Sequence, residues 1–144
     1  MKKFIEFILV FCLTVGMVGC KLKEFSDISS EPRVSKLIGI KYISKKELFI
    51  YGISNDPDYK KVVDDYTVME PPGIGGPEVV SKDILPIGTS FKIVKVERCN
   101  NCFPFKANER LVIELLPNSK FKDRPVTIDS DRIDIGKTDA LVRM

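Results

Sequence analysis

Past residue 36 the apolar residues of this chain come in short runs of branched and aromatic side chains broken by turn formers. Few windows hold a 3.6-residue period. A chain so patterned cannot be laid out as a helix bundle, and it predicts a mainly β fold. Only residues 58–65 look helical, for barely two turns. Residues 37–43 and 47–53 flank the polar Ser44-Lys45-Lys46 and predict a hairpin. The strongest strands are expected at 90–97 and 110–116. In the second, Leu111, Ile113 and Leu115 share one face while Glu114 points the other way. In the first, Phe91 and Ile93 share a face that Val94 and Val96 do not, and a bulge near Val94 reconciles them. Residues 125–129 and 132–135 add two short strands linked by Ser130-Asp131. Roughly five to seven strands joined by long loops imply one small barrel or sandwich.

Before this domain stands a different kind of sequence. Lys2 and Lys3 precede an almost unbroken apolar run at residues 7–18. As a helix that run would measure about 18 Å, against roughly 30 Å of bilayer hydrocarbon, so it has the layout of an export signal rather than a span. Met17-Val18-Gly19-Cys20 follows. It resembles the lipobox of bacterial lipoproteins, in which small residues precede the cut and the cysteine takes the lipid; Met17 stands where Leu is usual. The resemblance implies cleavage before Cys20 and stable attachment through two or three acyl chains on that residue. Lys21 rather than Asp after the cysteine implies the outer membrane, facing the periplasm, in a Gram-negative cell. The expected organisation is a signal peptide at 1–19, the lipidated cysteine and a flexible polar tether at 20–34, and a β-rich domain at 35–144.

Removing residues 1–19 takes away Lys2, Lys3 and Glu6, so the net charge falls from +3 to about +2. That balance argues against nucleic acid as a partner, and the Lys92, Lys95 and Arg98 set reads as a solvated strand face. The chain has no histidine, which removes Ser-His-Asp and Cys-His catalysis, and no spacing of Asp and Glu nominates a carboxylate pair. No cofactor is expected.

Residues 84–93, in which Pro86-Ile87-Gly88-Thr89 leads into a strand, resemble the Pro-Gly turn and central strand of bacterial SH3-like modules. The resemblance implies an SH3-like barrel. The Asn-Val-Arg run that cell-wall-binding modules carry after the first strand is absent here.

Three clusters are candidates for function. Cys99-Asn100-Asn101-Cys102 holds the two cysteines other than Cys20 that outlast processing, and an exported pair at this spacing is expected to oxidise. It reads as a disulfide pinning a loop, with thiol-disulfide exchange as the alternative and a metal site disfavoured by the shortage of ligands. Pro72, Gly73, Ile74, Gly75, Gly76 and Pro77 belong to a stretch with three prolines and three glycines between residues 71 and 77. It lacks the Lys-Ser/Thr ending of a phosphate loop and reads as a shaped connection or recognition loop. Asp56, Asp58, Asp64 and Asp65 fail the calcium-loop spacing, with Pro57 interrupting the start, and read as a charge-balanced loop with Lys60 and Lys61. The expected function is that of a lipid-anchored, non-enzymatic binding protein of the envelope. Its partners would be the membrane, through Cys20, and another envelope protein or an incoming one. A redox protein using Cys99 and Cys102, or a cell-wall-binding module, are the alternatives.

Overall fold

The computed structural model describes residues 23–56, 61–102, 109–117, 120–129 and 139–144. These residues build one sheet from nine strands: β1 (Phe25–Asp27), β2 (Lys41–Ser44), β3 (Leu48–Ile53), β4 (Asp65–Met69), β5 (Val79–Leu85), β6 (Ser90–Cys99), β7 (Glu109–Leu116), β8 (Val126–Asp129) and β9 (Leu141–Arg143). The order across the sheet is β5-β3-β4-β8-β7-β6-β2-β9, with β1 added to the far half of β6. All pairs are antiparallel except β4 with β8. The fold is mainly β, as the sequence predicts, but the ladder does not close into a barrel: its path ends at β5 and β9.

The β6–β7 ribbon is the backbone of the domain. Ile93 lies opposite Ile113 and Lys95 opposite Val112, so Val94 is skipped. Val94 is 40% exposed while Phe91, Ile93 and Val96 are at most 1% exposed. This is the bulge expected at Val94: one extra residue turns both halves of β6 onto the same core. Leu111, Ile113 and Leu115 of β7 meet them, together with Ile50, Val68, Val126 and Ile128 from the other half of the sheet. Because one cluster draws side chains from both halves, the sheet must curl around it.

The hairpin expected from residues 37–53 does not form. Residues 35–37 make a short 3-10 turn, β2 pairs with β6 and β9, and β3 pairs with β4 and β5. Residues 44–47 are a corner instead. Ser44, 2% exposed, donates its N–H to the Thr89 carbonyl at 2.9 Å, accepts from Gly88 N–H at 2.9 Å, and donates its hydroxyl to the Pro86 carbonyl at 3.2 Å. Its polar groups are satisfied by the 86–89 turn, which leaves none to close a hairpin with β3. The Pro-Gly turn is where the sequence places it, with Thr89 N–H on the Pro86 carbonyl and Gly88 at φ 87°.

Two further expectations are corrected. Residues 23–34 are not a tether: β1 pairs with β6, and Ile28 and Val34 are 6% and 2% exposed. Two apolar residues among the serines are enough to fasten the segment to the core. Residues 61–64 are not helical, and Asp65 opens β4; Asp58 and residues 57–60 lie outside the described residues. Strands β4, β5 and β9 were not anticipated. The strand expected at 132–135 lies outside the described residues.

Phe91 stacks on Tyr42 with ring centroids 5.7 Å apart and lies at the centre of the cluster. Phe91→Ala is expected to cost about 3–5 kcal/mol, and Val94→Ser, at the exposed bulge, to stay within about 0.5 kcal/mol, both read from urea unfolding midpoints.

Candidate functional site

The proline-glycine loop is seated on β3. Alternation sends Leu48 and Ile50 into the core and Phe49 and Tyr51 to the opposite face, yet Tyr51 is only 1% exposed. The loop is what covers it. Gly73, at φ 77°, lies so close that a Cβ there would stand 1.9 Å from Tyr51 Oη. Only glycine satisfies both the left-handed backbone and the close approach. The loop's end is tied down by Ser54 N–H on the Glu78 carbonyl at 2.8 Å, and the Pro71–Pro72 peptide is cis. Tyr51 Oη is buried and has no hydrogen-bond partner among the described residues. Beside it Phe49 packs edge-on with ring centroids 6.1 Å apart, and Lys82 Nζ stands 3.7 Å above the Phe49 centroid, a cation–π contact. With Gly73 turned inward, Pro72, Ile74, Gly75, Gly76 and Pro77 all face outward, Ile74 being 36% exposed. The loop is thus a solvent-facing arch over Tyr51 with Ile74 at its crest.

The second site is the cysteine loop. Cys99 and Cys102 form a disulfide, with Cα atoms 5.6 Å apart. Cys99 ends β6 and is 6% exposed. A bridge across so few residues gives little chain-entropy stabilisation. Its effect is to hold the shape of Asn100 and Asn101, and these two residues grip the start of β1. Asn100 N–H donates to the Glu24 carbonyl at 2.8 Å, and Glu24 N–H donates to Asn101 Oδ1 at 2.9 Å. Ser26 Oγ donates to Asn100 Oδ1 at 2.9 Å.

Next to this clasp lie two ionic groups that single residues do not announce. On one face Arg110 donates from Nη1 to Asp65 at 2.8 Å and from Nε to Glu97 at 2.9 Å, Lys95 holds the other Glu97 oxygen at 2.8 Å, and the Phe25 ring lies 3.5 Å from the Arg110 guanidinium carbon. On the other face Arg98 makes a two-pronged contact with Glu31 at 3.0 and 2.9 Å and also meets Glu109, which Arg33 clamps in turn. The β6–β7 register explains both groups, since it sets Glu97 against Arg110 and Arg98 against Glu109. Charges that look like a solvated basic face are each committed to a carboxylate, Lys92 with Glu114 included. Burial alone would raise the Glu97 carboxyl, but hydrogen bonds from Lys95 and Arg110 outweigh it and hold the group below its ordinary 4.5. The Arg33 hydrogen bond, followed by that from Arg98, lowers Glu109.

Of the acidic cluster, Asp65 is bound to Arg110 and Asp64 accepts from Asn55 N–H at 2.7 Å, so the two turn to different partners. Among the described residues no three of His, Cys, Asp and Glu gather as a metal site. Cys20 lies outside the described residues.

Arg110→Ala leaves Asp65 and Glu97, each 12% exposed at the side chain, without their shared cation. The expected cost is toward the lower end of roughly 3–5 kcal/mol in chemical unfolding. The lowered carboxyls stabilise the fold fully above about 4.5 and lose that contribution as pH falls through their folded values, so stability should drop on acidification, less steeply in Arg110→Ala. For the arch, Gly73→Ala should be strongly destabilising and Tyr51→Phe close to neutral, with the double variant recovering part of the loss by thermal denaturation. In comparisons with protein-family models, with curated proteins and with solved structures, nothing matches this chain.

Proposed function

We propose that this protein is a bacterial envelope lipoprotein, anchored through lipid on Cys20, that works as a binding module and not as an enzyme. The observation that carries the address is the sequence Met17-Val18-Gly19-Cys20 behind a short apolar run that itself follows Lys2 and Lys3. What supports a binding role is the arch over Tyr51: a loop of preset shape on a rigid sheet loses little conformational freedom when a partner docks. Ile74 at its crest is the natural contact, and the partner is a second protein of the envelope or an incoming protein that this one blocks.

Intact mass and membrane fractionation of wild type and Cys20→Ala, expressed in a bacterial host, test the address. The expected result is a diacyl or triacyl mass on Cys20 and loss of membrane retention in the variant. An unacylated, soluble wild type would overturn the proposal. A photo-crosslinker at Ile74 in intact envelopes tests the binding role: one discrete adduct is expected, and only random adducts would count against it.

A further inference from the structure

The clasp around β1 fixes how far the domain stands from the chain that precedes it. Backbone and side-chain hydrogen bonds hold Glu24 and Ser26 to Asn100 and Asn101. Counting back from Glu24, four peptide links separate it from Cys20. Fully extended they reach about 14 Å. The sequence around Ser26, Ser29, Ser30 and Pro32, which reads as part of a short flexible tether, contributes nothing to that reach. Past the clasp, Ile28 N–H donates to the Val96 carbonyl at 2.9 Å and Val96 N–H to Ser29 Oγ at 3.0 Å, so the segment stays fastened beyond β1.

β6 runs from Ser90 to Cys99, and ten residues at strand rise span about 30 Å. The 86–89 corner therefore sits at the opposite end of this ribbon from the clasp, at more than twice the leash length. Ile87, 67% exposed, projects there.

Resting on the lipid-anchored reading above, we infer that the Cys99–Cys102 loop is the membrane-facing end of the domain, a contact surface whose partner is the phospholipid headgroup layer. The disulfide keeps Asn100 and Asn101 in the geometry that shortens the leash, and the short leash keeps this end within about 14 Å of the lipid. The corner at Ile87 is turned outward. The surroundings of the clasp carry paired charges, Arg98 with Glu31 and Arg110 with Glu97, so the orientation comes from the length of the leash and not from a basic patch.

The test uses the full lipidated chain in vesicles of phosphatidylethanolamine and phosphatidylglycerol, with p-benzoylphenylalanine placed at Asn100 or at Ile87. Lipid adducts are counted by mass, and acylation of Cys20 is read from the same spectra. Several-fold more lipid adduct at position 100 than at position 87 is expected. A long Gly-Ser spacer between Leu22 and Lys23, which leaves the clasp untouched, should abolish the difference. Acylated protein with equal adducts at the two positions, more at 87, or none at either would overturn this inference and leave the anchored reading standing. A difference that survives the spacer would overturn the leash as its cause. Unacylated Cys20 would overturn the anchored reading, and this inference with it.

Discussion

A sheet of this size buries its core only if its longest strand can present apolar side chains on one side along its whole length. β6 cannot do so with regular alternation, because Phe91 and Ile93 are out of phase with Val96. The extra residue at Val94 removes the conflict by standing outside the ladder, exposed, while its neighbours on both sides face inward. Almost everything else hangs on that one shift. The first half of β6 pairs with β2, the second with β1, and β7 runs along both. The same shift brings Glu97 opposite Arg110 and Arg98 opposite Glu109, so the ionic groups beside the clasp depend on it as much as the core does.

Those ionic groups differ from ordinary surface pairs. Arg110 is held at both ends of its guanidinium and roofed by Phe25, and its side chain is 17% exposed. A group so enclosed is fixed in orientation by its neighbours, and removal of Arg110 takes the cation from Asp65 and leaves Glu97 with Lys95 alone. The network joins β4, β6 and β7 and, through the Phe25 ring, fastens β1 across them. β1 is therefore secured twice, by the disulfide loop at Glu24 and by this stack at Phe25.

Much of the fold was legible in the sequence where neighbouring residues decide the outcome. The strands at β6 and β7, the bulge at Val94, the turn at Gly88 and the disulfide at Cys99 and Cys102 all follow from local pattern and chemistry. What was not legible depends on contacts between distant residues. Ser44-Lys45-Lys46 has the composition of a hairpin turn, and only the carbonyls of Pro86 and Thr89, more than forty positions away, make it a corner. Ile28 and Val34 lie in a serine-rich stretch whose composition hides two core residues. Tyr51 was not legible as part of any site, since its burial depends on an arch that follows the next strand, β4. The sequence does carry one signal for the ionic groups: the charges of Glu97, Arg98, Glu109 and Arg110 become a pairing pattern once the two strands are set antiparallel.

The ladder path stops at β5 and β9, and their outer rows of backbone groups have no strand beside them among the described residues. Such rows are templates for joining copies edge to edge. β9 offers little length to pair with, at three residues, and ends in Arg143. β5 is longer and carries the exposed Ile84, but Lys82 and Asp83 interrupt it with opposite charges, and both are already engaged, Lys82 over Phe49 and Asp83 with Lys120. Resistance to edge-to-edge association therefore rests on these few charged positions, which keep crowded copies from continuing one another's sheet.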